Sequence, residues 1–468
     1  MRAATGGLGI KRTYGAVCPP VNRKEIEKTM AKYPITLGVV CLARKTFDCR
    51  AAEGLYREVL GELESLEQVS VVAIPQLVIE VLEAQEAARQ LGRRQVDGLI
   101  CISGTFHLGH LVLELEKVLH KPIMLWALPE LPYDGGKIRL NSLCGLNLDA
   151  SNLYKSGVRT YHAGLDERID EDWLDAIRAI KALAEAHVGL VGFRAHGFFN
   201  IGVYDPNLYS ETGVLLDHYE LVDLYGLEVN PGEVEARREQ IASIFDISGI
   251  SEEQLQKLAG LIARMDAFMH RNRLTALAIR CWPEFAATYG ISPCSAMSVL
   301  QAEEKVLACE GDVDGALSMI AQTAVGAQSP YLFDFSQADF EQNYALLWHC
   351  GVAPCNLWDG ECVRSLDTYF SGGRGLTADF VLKTGPVSIL RLDSCGTKYR
   401  VFLARGEAGP MEKKLKGTYM KAEFEYPVKE LFRKVVDHGL AHHASVVYGD
   451  FIRPFEILAK IKGWEIIR

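Results

Sequence analysis

Four short stretches carry side chains that could do chemistry together. Glu310 directly follows the apolar run Val306–Cys309, and Gly311 and Asp312 come next, after which helical spacing begins. A carboxylate at the C-terminal tip of a strand, with a helix opening behind it, sits where open α/β sheets place ligands. Asp334, in Tyr331-Leu-Phe-Asp-Phe, lies 24 residues later and again ends an apolar run. Parallel strands joined by one helix need about this much chain, so both carboxylates are expected at one edge of one parallel sheet. His442 and His443 precede the apolar run Ala444–Tyr448. Neighbours entering a strand point opposite ways, so only one of the two is expected to reach a given site. His349, in Trp348-His-Cys-Gly, is a fourth candidate.

Each of these residues also has a plainer role. Glu310 and Asp312 suit a helix N-terminus, where the backbone dipole favours acids. Asp334 suits a turn, and the histidine pair an exposed loop. An aspartate among Leu and Phe is costly, however, unless paired or metal-bound. Taken together, two carboxylates and one imidazole make a hard, oxygen-rich set. That suits Mn²⁺ or Mg²⁺ better than a thiolate-type zinc centre. The nearby Cys281, Cys294, Cys309, Cys350 and Cys355 read as small buried residues, and no His or Asn stands at a spacing typical of a cysteine nucleophile.

Such a set needs a scaffold, and 468 residues are enough for two to four domains. Hydrophobic residues at 49% and charged residues at 24% describe a globular chain and exclude a disordered or fibrous one. A net charge of −10 disfavours non-specific nucleic-acid binding, which needs a basic face. The mean hydropathy is +0.04, and no run of about 18 apolar residues offers a membrane span. Twelve scattered cysteines without a CxxC pair, and a start without a signal-type apolar stretch, suggest reduced thiols in a cytoplasm.

Residues 1–33 read as an arm. Over 34–165, short Val- and Ile-rich runs (Thr36–Ala43, Val69–Ile74, Val96–Ser103, Pro122–Leu128) alternate with amphipathic stretches, the pattern of a doubly wound parallel sheet. The alternation restarts over 166–345, predicting a second α/β domain that would carry Glu310 and Asp334. From 346 to 468, short alternating segments separated by turn residues predict a β-rich, barrel-like C-terminal domain. There is no GxxxxGK[ST], GxSxG or HExxH, and no GxGxxG behind a strand.

These stretches resemble, in order and spacing, the L-fucose/L-arabinose isomerase-like family of sugar isomerases. The similarity runs through Arg44-Lys-Thr-Phe-Asp48, Gly104-Thr-Phe106, Leu125-Trp-Ala-Leu-Pro-Glu130 and Leu140-Asn-Ser-Leu-Cys-Gly145. It continues through Cys281-Trp-Pro-Glu-Phe285, Ala308-Cys-Glu-Gly-Asp312, Leu332-Phe-Asp334, Trp348-His-Cys-Gly351, His442-His443 and Tyr448-Gly-Asp450. The resemblance implies two α/β domains with a β-rich third and an aldose–ketose isomerase. Glu310, Asp334 and His443 would bind Mn²⁺, with Mg²⁺ or Co²⁺ as substitutes, and Glu310 and Asp334 would move the protons. It further implies a homo-oligomer, a hexamer or smaller, in which a neighbour's first domain covers the site and brings Trp126 and Thr105 to the sugar.

Trp282, Arg280 and His349 complete the expected substrate-binding residues. Lys45 departs from the family pattern. With Arg194, Arg280 and Arg374 it would suit an anionic sugar such as sulfoquinovose, converted to sulfofructose. L-Fucose or D-arabinose remains the neutral alternative, and a non-catalytic sugar-binding protein on the same scaffold is the competing class.

Overall fold

A computed structural model of the chain describes residues 31–468 apart from residues 167, 371 and 372. The arm expected over 1–33 lies outside the described residues except for its last three. The first sheet is parallel and built from β1 (Ile35–Leu42), β2 (Val69–Ala73), β3 (Gly98–Ser103), β4 (Ile123–Ala127) and β5 (Tyr161–Gly164), in the order β2-β1-β3-β4-β5. Continuous apolar runs such as Gly98–Ser103 are buried along their whole length because crossing helices cover both faces. One of those helices, Ser142–Lys155, is not apparent in the sequence, since its Gly and Asn residues are weak helix formers. Gly145 is nonetheless required there, because a Cβ would lie 2.3 Å from the Ser103 hydroxyl.

A second parallel sheet follows, with β6 (His187–Val191), β7 (Leu215–Tyr219), β8 (Ala276–Ile279) and β9 (Val306–Cys309) in the order β7-β6-β8-β9. The helix Glu252–Asn272 that precedes β8 opens with a reciprocal cap. The Gln254 backbone donates to the Ser251 hydroxyl, and the Ser251 backbone to the Gln254 side chain.

The third sheet holds β10 (Tyr331–Asp339), β11 (Tyr344–His349), β12 (Ser365–Asp367), β13 (Thr377–Val381), β14 (Gly385–Cys395), β15 (Lys398–Gly409), β16 (Thr418–Phe424), β17 (His443–Tyr448) and β18 (Glu465–Ile467). Its order is β12-β13-β16-β11-β10-β17-β14-β15-β18, and β15 also pairs with β16. Six strands, β16-β11-β10-β17-β14-β15, therefore close into a barrel. The α/β character and the barrel-like C-terminal sheet agree with the sequence reading. One assignment changes: β10 pairs antiparallel with β11 and β17, so Asp334 stands on the barrel and not beside Glu310 in a parallel sheet. A short apolar run looks the same in either setting, and only its pairing partners decide.

Helix Val313–Ala324 joins β9 to β10 and is buried on nearly every side, wedged between the second sheet and the barrel. Its Ser318 hydroxyl accepts the Leu392 N–H at 2.8 Å. Its Asp314 accepts from the Ser394 N–H, the Ser394 hydroxyl and the Tyr399 hydroxyl. Complete burial outweighs these bonds and pushes the Asp314 carboxyl up to about 6. Among the described residues no helix is long and apolar enough to cross a membrane.

Candidate active site at the junction of sheet and barrel

The site forms where the C-terminal end of the second sheet meets the barrel. Asp334 on β10 stands directly opposite His443 on β17 and Trp348 on β11. Cross-strand neighbours have Cβ atoms about 4.5–5.5 Å apart, so sheet pairing alone brings an aspartate and an imidazole together. His349 follows Trp348 on the same strand. Glu310 arrives from the other side, one residue beyond β9.

Its backbone is held in the left-handed region, φ +63°, and Gly311 follows at φ +78°. For a residue with a side chain this costs about 1–2 kcal/mol. Three hydrogen bonds maintain it: Gly311 N–H to Ile279 O, Ala195 N–H to Glu310 O, and Asp312 N–H to Cys309 O. Gly311 admits no Cβ, which would lie 2.5 Å from the Phe193 carbonyl and 2.6 Å from the Arg194 Cα. Strain of this kind collects where geometry serves function.

Glu310 Oε1 accepts the Trp282 indole N–H at 3.1 Å, and Oε2 lies 3.2 Å from His442 Nε2. His443 Nε2 is 3.5 Å from Glu310 Oε2 and 3.3 Å from Asp334 Oδ1. It is aligned with neither and makes no hydrogen bond, although it is fully buried. Its other nitrogen, Nδ1, bonds Asp312 Oδ2 at 3.1 Å. Asp312 is a hub. Oδ1 caps helix Val313–Ala324 through the Gly315 N–H, and Oδ2 also receives Arg391 Nη1 at 2.5 Å. A carboxylate behind a ligand imidazole fixes which ring nitrogen faces the site. His349 Nε2 is likewise buried without a partner. Ligand atoms of Asp334, His349 and His443 lie within 4.8 Å of one another, as do those of Glu310, His442 and His443.

The charges follow from this packing. Burial raises the Glu310 carboxyl, but the His442 bond and the charges of His443 and His349 outweigh it, and the net shift is downward. The same competition leaves Asp334 near pKa about 2. Burial disfavours the His443 imidazolium, yet Asp312 and Asp334 hold it protonated up to about 10. Burial, helped by the charges of His443 and His442, keeps His349 below its ordinary value, and the carboxylates of Asp334 and Glu310 only partly offset it. Three acids around one imidazole thus hold a proton where they could hold a cation. The two unbonded imidazole nitrogens and the oxygen-rich donors fit a hard divalent metal.

Of the expected site residues, Glu310, Asp334, His443, His349 and Trp282 come together. Arg280 leaves the end of β8 nearby and pairs with Glu284 at 3.3 Å. Trp126, Thr105 and Lys45 stay with the first sheet. Trp126 is buried and donates to the Asp166 carbonyl. The fully buried Thr105 hydroxyl accepts the Arg44 N–H and donates to the Phe106 carbonyl. Lys45 is exposed on the loop after β1.

The expectation that only one histidine of the pair reaches the site is corrected. His442 precedes β17, so strand alternation does not govern it, and its ring centroid lies 4.1 Å from that of His443. Phe198 packs edge-on to both His442 and Trp282, and Asn200 bonds His442 Nδ1. Sequence reasoning missed these loop residues and Arg391. Arg391 did leave a signal, a charge inside the apolar run Ile389-Leu-Arg-Leu392, which burial requires to be paired.

A family profile described as "Fucose/sulfoquinovose isomerase, N-terminal domain" matches residues 38–190. A sulfoquinovose isomerase of Priestia aryabhattai is 29% identical over 430 residues, 89% of this chain and 95% of the relative. One of Alkalicoccus urumqiensis is 26% identical over 92% of this chain and 99% of the relative. Among solved structures, a solute-binding protein from Burkholderia multivorans covers 62% of this chain and 94% of its own. At 12% identity and a TM-score of 0.18 it bears on neither fold nor function.

Proposed function

The chain belongs to the fucose/sulfoquinovose isomerase-like family and is a sugar isomerase, and from that premise we propose how its site works and on what. The reaction is aldose–ketose exchange through a cis-enediol, with Mn²⁺ held by Glu310, Asp334 and His443. The observation that carries it is the convergence of the Glu310 and Asp334 carboxylates on the buried His443 Nε2, which has no hydrogen-bond partner. When bound, a divalent cation supplies Lewis acidity that makes the C2–H more acidic and stabilises charge on O1 and O2.

The remaining work falls to the chain's own groups. Glu310 and Asp334 are both held ionised at neutral pH, so each can accept a proton. One takes the proton from C2 and returns it to C1, while the other passes the hydroxyl proton between O1 and O2. Trp282 and His442 each hold one oxygen of Glu310, which fixes the direction of that carboxylate. His349 Nε2 faces the same space, free to meet a ligand. No organic cofactor is needed.

The substrate proposed is sulfoquinovose, giving sulfofructose, with L-fucose and D-arabinose as the neutral alternatives. Two observations support an anionic sugar: the names borne by the relatives, and Arg194. That guanidinium lies 4.6 and 5.2 Å from the rings of Phe193 and Phe199, and among the described residues no carboxylate pairs with it. Its loop packs against Glu310 through Ala195. Exposed Phe193 and Phe199 beside the site favour an oligomer in which a neighbour's first domain covers it.

The test is an NMR assay for ketose with protein stripped by chelator and reloaded with Mn²⁺, against an aldose panel that includes all three sugars. Metal-dependent ketose from sulfoquinovose alone is the expected result. Metal-independent sugar binding without turnover would overturn it in favour of a non-catalytic binding protein.

A further inference from the structure

His442 and His443 both reach Glu310, yet the groups behind their rings differ in kind. Asp312 Oδ2 stands behind His443, 3.1 Å from Nδ1. The Asn200 amide nitrogen stands behind His442, 3.2 Å from Nδ1. An ionised carboxylate only accepts, whereas an amide NH₂ only donates. A neutral imidazole carries one proton, so the partner of one nitrogen decides what the other can do. Asp312 requires the proton on His443 Nδ1. That makes Nε2 the nitrogen with the lone pair, facing Glu310 Oε2 at 3.5 Å and Asp334 Oδ1 at 3.3 Å. Asn200 requires the lone pair on His442 Nδ1, which places the proton on Nε2, 3.2 Å from Glu310 Oε2.

The Glu310 end agrees. An ionised carboxylate has no proton to give, so the contact at 3.2 Å is a hydrogen bond only if His442 Nε2 donates. Phe198, two residues before Asn200, packs edge-on to the His442 ring with centroids 5.1 Å apart. It packs the same way on Trp282, which donates to the other Glu310 oxygen. Ala195, on the same loop, donates its N–H to the Glu310 carbonyl. The loop after β6 therefore reaches Glu310 through its backbone and through both partners of its side chain.

We propose that Asn200 is a positioning residue: it holds His442 with its proton on Nε2, which makes His442 a donor to Glu310 and bars it from ligating the metal. The two neighbouring imidazoles are thereby sorted, His443 for the cation and His442 for the carboxylate. Distance alone would admit His442 as a ligand, since its ligand atom lies within 4.8 Å of those of Glu310 and His443. A protonated Nε2, however, has no lone pair to give, and the group behind an imidazole fixes which nitrogen is bare. The proposal rests on the metal-dependent isomerase reading and adds a residue to it.

The tautomer is read directly by magic-angle-spinning NMR of ¹⁵N-histidine-labelled protein with Mg²⁺ at alkaline pH, with His442→Gln identifying the resonances. His442 is expected with hydrogen on Nε2 and none on Nδ1. Asn200→Asp exchanges the donor for an acceptor of the same shape, and hydrogen is expected to appear on Nδ1. Asn200 is exposed, so its variants are expected to fold. Asn200→Ala should lower kcat about tenfold with KM little changed, the lower end of what such outer partners cost, because Trp282 still holds the other oxygen. Mn²⁺ titration followed by EPR gives a further readout. His442→Gln keeps an N–H donor for Glu310 and should bind Mn²⁺ about as well as the wild type, whereas His443→Gln should lose at least about tenfold. Hydrogen on His442 Nδ1 in the wild type, a bare Nδ1 in Asn200→Asp, an unchanged kcat in Asn200→Ala, or a His442→Gln variant that loses Mn²⁺ as His443→Gln does, overturns the proposal. A wild type that binds no Mn²⁺ sinks the metal reading instead, and the tautomer is still read.

Discussion

Replacing Arg391 by Met tests whether Asp312 is held as an ion. The pair is buried completely, with Arg391 1% exposed and Asp312 not at all, and the contact is 2.5 Å. Removing one member of such a pair costs about 3–5 kcal/mol, because the other charge is stranded. Asp312 would keep two donors, the Gly315 N–H and His443 Nδ1, and Asp393 would keep Arg400 at 2.7 Å. The cost is therefore expected at the lower end, about 3 kcal/mol, or roughly a hundredfold in the folding equilibrium. Urea unfolding of the metal-free protein, followed by circular dichroism, measures it.

Asp312→Asn in the Arg391→Met background removes the stranded charge, so the double variant should be more stable than Arg391→Met alone. The sign with pH follows. Burial raises the Asp312 carboxyl, but Arg391 and His443 hold it far below its ordinary range. Its contribution is therefore present at neutral pH and lost as pH falls through the native value. Without Arg391 that loss should begin at higher pH. A cost under about 1 kcal/mol for Arg391→Met, or two single costs that simply add in the double variant, would refute the buried-ion argument.

Glu310→Gln and Asp334→Asn should each lower ketose formation by about 10²–10⁴-fold. Both side chains are partly open to solvent, at 14% and 26%, so the melting temperature should change little, which calorimetry checks. Gly311→Ala forces a Cβ against the Phe193 carbonyl at a positive φ, and should cost at least about 1–2 kcal/mol in urea while weakening Mn²⁺ binding measured by calorimetry. Asp314, with its carboxyl pushed up to about 6, takes up a proton in the native state before the unfolded chain does. Its cost is present above pH 6 and fades as pH falls toward the unfolded value. Asp314→Asn should remove that gain between pH 6 and 4, read as melting temperature against pH.

The sequence by itself determined most of the elements and offered the candidate side chains of the site. Unbroken apolar runs such as Gly98–Ser103 and Val306–Cys309 must be covered on both faces, and that physical demand is local enough to read directly. Glu310 and Asp334 were legible as candidates because a charge at the end of an apolar strand is costly without a partner, whereas His443 was singled out from its neighbour only by the family resemblance. Which partner each one meets was decided only in three dimensions. Antiparallel pairing moved Asp334 from a parallel sheet to the barrel and set it opposite His443, a register that the 108 residues of intervening chain do not encode locally. The loop before β17 let His442 turn toward the same carboxylate as His443. Asp312 and Arg391, 79 residues apart, found each other because helix Val313–Ala324 is wedged against β14. Periodicity reports how much of a residue is buried, and only tertiary packing determines what it is buried against.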